Sequence, residues 1–155
     1  MQPLKKYIQQ KSENNCGPVA VYNFLVWANQ NPRKTDLGII RKLLGTTAKG
    51  TDLYSVLNFL NLFIEFHTIE YFSTRKVNKP LQTLQAGGCF FIVFDGGNNI
   101  PHIAFCRGIV NGKLALINAV KDRKELLITK AQFKNLLLNN QIAPIFITVR
   151  RNELQ

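Results

Sequence analysis

Hydrophobic and polar positions divide the chain into two differently patterned halves. Val19 to Ala28 (VAVYNFLVWA) is apolar on nearly all sides, which predicts a helix buried in the core. Pro18 suits its first turn, where a missing N–H does no harm, and Asn29 to Pro32 ends it. A second helix is expected from Asp36 to Leu44, capped by Thr35 or Asp36 and stopped by Gly45. A third begins at Thr51 or Asp52, with Leu53, Val56, Leu57 and Leu60 on one apolar face. The pattern then turns to strands. Phe66 to Phe72 is rich in β-forming residues, Pro80 to Ala86 suits one short helix, and Cys89 to Asp95 (CFFIVFD) predicts a buried strand. Gly96 to Asn99 is expected as a loop. Ile103 to Val110 and Lys113 to Val120 predict a hairpin about Asn111-Gly112. Thr129 caps a last helix with Phe133, Leu136 and Leu137 facing inward, and Ala143 to Val149 closes as a strand. Helices first and antiparallel strands later describe an α+β fold rather than an alternating α/β one.

The 155 residues suit one domain over 1–155, long enough to bury a real core. No window approaches the run of about 20 apolar residues that a membrane span needs. No apolar signal segment follows the basic start, Met1 to Lys6, so the expectation is a cytoplasmic protein. The three cysteines, Cys16, Cys89 and Cys106, are odd in number and far apart. That argues for a reducing compartment and against a disulfide framework. With only His67 and His102 to add, a structural zinc site has poor support. The net charge of +11 favours an acidic partner (nucleic acid, an anionic surface or an acidic substrate), or serves as a solubilising surface. Its basic residues are scattered, and no aromatic-basic RNA-binding motif is present.

Cys16 stands where a polar lead-in, Lys11 to Asn15, enters the buried helix. A thiol at a helix N-terminus has its pKa lowered by the positive end of the dipole, as a nucleophile requires. A small capping residue is the alternative there. A nucleophile also needs a base. His67 lies between Phe66 and Thr68 with no partner signalled and reads as structural or exposed. His102 opens an apolar strand after a loop of Gly and Asn, at the rim of a sheet. A third group should hold the imidazole. Asn118, amid apolar residues of the next strand, must be hydrogen-bonded to something, and a backbone contact is the competing use. A plain two-residue turn at Asn111-Gly112 would put His102 and Asn118 on opposite faces. A three-residue loop, Val110-Asn111-Gly112, with Gly112 bulged, would pair Ile109 with Lys113 and Ala104 with Asn118. His102 and Asn118 would then be diagonal neighbours about 7 Å apart. Gln10, six positions before Cys16, could join the Cys16 N–H in an oxyanion hole, with Gln9 nearly as plausible. Cys106 and Cys89 read as core residues.

Gln10, five intervening residues, Cys16-Gly17-Pro18 and the hydrophobic helix after them resemble the bacteriocin-processing cysteine peptidases, a branch of the papain-like superfamily. In that family a Gln six positions before the Cys lines the oxyanion hole. The His starts a strand, and an acidic residue or Asn follows about sixteen residues later, as Asn118 follows His102 here. The resemblance implies a papain-like fold with N-terminal helices packed on an antiparallel sheet. It implies a thiol hydrolase acting on a peptide or isopeptide bond, with Cys16 as nucleophile, His102 as base, Asn118 as its orienting residue and Gln10 in the oxyanion hole. The partner implied is a peptide or protein substrate, and no metal or organic cofactor is needed. The family's common Asp-Pro is Asn118-Ala119 here. The exporter fusion and the double-glycine specificity of its best-known members do not carry over. A catalytically silent peptide-binding domain, a basic nucleic-acid-binding protein, and a transamidase or isopeptidase are the other readings.

Overall fold

The structure is a computed structural model describing residues 1–96 and 100–153. The apolar run after Cys16 forms α1 (Cys16–Trp27), which begins at the cysteine itself. It is buried nearly all round, as its composition requires. A short 3₁₀ turn leads into α2 (Leu37–Leu43), and α3 (Leu53–Leu60) starts behind Asp52, whose carboxylate accepts from the Tyr54 N–H at 3.0 Å. Next come β1 (His67–Ser73), α4 (Asn78–Gln85), β2 (Cys89–Asp95), β3 (Pro101–Val110) and β4 (Lys113–Val120). The chain closes with β5 (Arg123–Ile128), α5 (Lys130–Asn139) and β6 (Ile145–Arg151). Thr129 caps α5 in a reciprocal pair with Gln132. Of the loop expected over Gly96 to Asn99, positions 97–99 lie outside the described residues.

One antiparallel sheet, ordered β1-β6-β2-β3-β4-β5, carries two cores. The first lies under α1, α2 and α3 and includes Phe24, Phe91, Phe105 and Ile117. The second holds Phe90, Cys106, Leu116, Phe133 and Phe146, beneath α4 and α5. The N-terminal helices therefore pack on the sheet as expected, and α4 and α5 cover its other side. Strand β5 has no counterpart in the sequence reading. Its start falls in the charged stretch Lys121 to Lys124, which looks like a solvated turn. An edge strand tolerates such charge because one side pairs and the other faces water. Among the described residues, no helix is long and apolar enough to cross a membrane.

The β3–β4 hairpin departs from the expected turn. Val110 pairs with Lys113 across a two-residue turn in which Asn111 (φ 51°) and Gly112 (φ 76°) both take left-handed angles. Further along, Cys106 pairs with Leu116 and Phe105 with Ile117. The register has slipped by one, because Arg107 and Gly108 together face Ala115. Gly108, at φ 142°, supplies the bulge, and Arg107 is tied to Glu125 of β5 at 2.6 Å. The required offset is thus present, but within the strand rather than in the turn. Both turn residues accept the tight two-residue geometry, so the extra residue is accommodated at the next glycine.

Candidate active site

The start of α1 and the mouth of β3 meet at the end of the sheet. The Cys16 thiol is half-buried and hydrogen-bonds with the His102 ring. Burial pushes this thiol upward. The His102 hydrogen bond, the Ile103 and Gly17 N–H groups and the charge on the imidazole oppose it, and the net result is a thiol below its ordinary range. His102 moves the other way. Burial favours its neutral form, but hydrogen bonds with Cys16 and with the Asn118 carbonyl, together with the thiolate charge, raise its pKa. Both directions favour a thiolate–imidazolium pair.

The ring's far side is held at 2.5 Å by Asn118, through the main-chain carbonyl oxygen. A carbonyl can only accept, so Nε2 carries the proton and Nδ1 is left to face the thiol. Phe94 stands edge-on to the ring at 5.7 Å between centroids. Gly96 lies against it so closely that a Cβ there would come within 2.7 Å of the His102 Cβ.

The Asn118 side chain, 4% exposed, serves Gln10 instead. Its Oδ1 accepts from the Gln10 N–H at 3.1 Å, and its Nδ2 donates to Gln10 Oε1 at 2.8 Å. Backbone geometry explains the division. Asn118 sits at φ 60°, where the β4–β5 register shifts. Leu116 and Ala119 both face the second core and Ile117 the first, so the usual alternation breaks at Asn118. The expected side-chain contact between His102 and Asn118 is therefore replaced by a main-chain one. Gln10 Nε2 donates to the Ser12 carbonyl at 3.3 Å. Gln9 is occupied elsewhere, donating to the Val120 and Lys121 carbonyls at 3.1 and 2.7 Å. As the first residue of α1, Cys16 has an N–H with no partner within the helix.

Two residues that build the site were not singled out from the sequence. Asn23, fully buried in α1, accepts from the Ile8 N–H at 2.9 Å and donates to the Ile8 carbonyl at 3.1 Å. It thereby fixes the segment that carries Gln10. A lone amide in VAVYNFLVWA was the available signal, since a buried polar group needs partners. Thr51, hydrogen-bonded to Thr46 at 2.7 Å, packs on Gly17 beside Cys16. No signal in the sequence pointed to that contact. The remaining cysteines lie apart from this chemistry. Cys106 is fully buried and its thiol is pushed up to about 12, and burial drives Cys89 well above the ordinary range. His67 packs among Phe24, Trp27 and Phe63.

No protein-family model matches the chain, and no curated protein matches it. Solved structures do. The peptidase domain of Streptococcus ComA, a bi-functional ABC transporter involved in quorum sensing, is 14% identical with a TM-score of 0.63, over 94% of this chain and 98% of that one. A double-glycine-motif protease from an AMS/PCAT transporter, solved with its leader peptide, is also 14% identical. Its TM-score is 0.62, over 92% of this chain and 89% of the other. A C39-like peptidase from Bacillus anthracis is 11% identical with a TM-score of 0.66, over 95% of each chain. With its N-terminal helices on an antiparallel sheet, this chain has the papain-like α+β fold of C39-type peptidase domains.

Proposed function

We propose that this protein is a cysteine peptidase in which Cys16 is the nucleophile, His102 the base and acid, and Gln10 with the Cys16 N–H the oxyanion hole. The carrying observation is the hydrogen bond between the Cys16 thiol and the His102 ring, with the thiol's pKa lowered and the imidazole's raised. The likeness in fold to peptidase domains supports the same reading.

The Cys16 thiolate attacks the carbonyl carbon of a peptide bond, forming the S–C bond and moving an electron pair onto oxygen. Gln10 Nε2 and the Cys16 N–H donate to that oxyanion. The His102 imidazolium gives its proton to the leaving nitrogen as the C–N bond breaks. A water then attacks the thioester, His102 takes its proton, and the thiolate departs. One of the neighbours is a protease with a leader peptide bound, which supports a peptide as substrate. The charge of +11 favours acidic segments within it.

The test is digestion of a peptide library, with Cys16→Ala as control. Cleavage products should appear with the wild-type chain and vanish in the control. Products that persist with Cys16→Ala, or none from the wild type across a broad library, would remove the proposal.

A further inference from the structure

The contacts of Asn118 divide by type. Its carbonyl meets His102 at 2.5 Å, and its amide meets Gln10 at 3.1 and 2.8 Å. We infer that Asn118 is a positioning residue for both halves of the site: its main chain sets the imidazole, and its side chain orients Gln10 as an oxyanion donor. This rests on the peptidase reading above.

The chemistry of the two amides carries the argument. Gln10 could turn its side chain over, presenting either an acceptor oxygen or a donor NH₂ to a given point. Asn118 Nδ2 holds Gln10 Oε1, so the acceptor end is taken and the NH₂ is directed away from Asn118. That NH₂ has two hydrogens. Ser12 accepts one at 3.3 Å, which leaves the second for an oxyanion. The same Asn118 side chain fixes Gln10's backbone through Oδ1, so both position and orientation come from one residue. Only an amide does both. A carboxylate would accept the Gln10 N–H but have nothing to donate to Oε1. Asn118 is 4% exposed, so these bonds face little competition from water. At φ 60° it occupies a conformation that asparagine tolerates better than most residues.

Two small probes separate the halves. Iodoacetamide alkylates a thiolate by displacement at carbon and makes no tetrahedral oxyanion. p-Nitrophenyl acetate acylates through one: the S–C bond forms, the C–O bond breaks and p-nitrophenolate leaves. Asn118→Gly keeps the carbonyl and accepts the positive φ. It should leave the rate and pH midpoint of Cys16 alkylation unchanged. Acylation should fall about 10²-fold, as for loss of one oxyanion donor. Gln10→Ala should show the same pattern, and the double variant should be no worse than either single one. An alkylation midpoint that moves in Asn118→Gly would overturn the inference, because the side chain would then serve the imidazole. Multiplying losses in the double variant would overturn it too. If Asn118→Gly does not fold, Gln10→Ala decides alone, and unchanged acylation there rejects the inference. Each of these failures leaves Cys16 as nucleophile and His102 as base as long as the wild-type chain is acylated at Cys16, and unchanged acylation in Gln10→Ala takes only Gln10 out of the oxyanion hole. A wild type that is neither acylated there nor alkylated below the ordinary thiol range removes both.

Discussion

His102 meets Asn118 at the peptide carbonyl, 2.5 Å from Nε2, while the Asn118 amide points to Gln10. A carbonyl offers only acceptance, so this contact selects the tautomer and turns Nδ1 toward Cys16. Orientation of the imidazole then depends on the path of the backbone around Asn118 more than on its side chain.

Cys16 should react as a thiolate on the acid side of the ordinary thiol pKa of about 8.5. Its pKa is lowered and that of His102 raised, so each shift favours the thiolate–imidazolium pair over the neutral one. The pair gives way to protonation of sulfur as pH falls and to deprotonation of the ring as pH rises. Iodoacetamide labelling followed across pH by mass spectrometry should show this early rise at Cys16. His102→Ala should move the midpoint upward, since burial then acts on the thiol less opposed. Cys89 and Cys106 should stay unlabelled while the protein is folded. An unchanged midpoint in His102→Ala would contradict the pairing.

Gly17→Ala opposes two effects. Helix propensity favours alanine by about 1 kcal/mol. The added Cβ would sit 2.5 Å from the Thr51 Cβ, well inside contact distance. Overpacking of this kind costs about 1–3 kcal/mol, so steric overlap wins and the midpoint of urea unfolding should fall. Thr51→Gly in the same chain should restore most of the loss. Additive losses in the double variant would show that the clash is not the cause.

Replacing Gly108 by Ala places a side chain at φ 142°. The expected cost is about 1–3 kcal/mol, read as a lower midpoint at constant slope in denaturant. The bulge has no cheaper place to go, because the turn at Asn111-Gly112 is already closed by two left-handed residues. A variant as stable as the wild type would mean that the register shift does not depend on this glycine.

Asn23→Leu keeps the branched shape but strips Ile8 of both its hydrogen bonds. Two buried backbone groups left unsatisfied should destabilise the chain by about 2–4 kcal/mol. The loosened lead-in should also weaken p-nitrophenyl acetate acylation while leaving the alkylation midpoint in place. A fall in stability with acylation intact would show that Gln10 is held without Asn23.

Much of this arrangement was legible from local pattern. The all-apolar run beginning at Val19, the buried strand Cys89–Asp95 and the Thr129 cap each leave a signature within a few residues. Spacing also indicated that His102 and Asn118 needed a one-residue offset. It could not say where, because a bulge goes wherever backbone strain and packing are least, and Gly108 competes with Gly112 for it. Strand β5 was hidden because pairing at a sheet edge depends on the neighbour, not on the strand's own charge.

The sequence by itself determined the type of every element but β5 and the candidates Cys16, His102, Asn118 and Gln10, since hydrophobic period and residue chemistry are local properties. Only the tertiary structure decided that the thiol meets the ring, and that Asn118 serves His102 with its carbonyl and Gln10 with its amide. Those outcomes turn on one backbone dihedral and one register shift. Both are settled by long-range packing between strands and helix, and no short stretch of sequence records that energy.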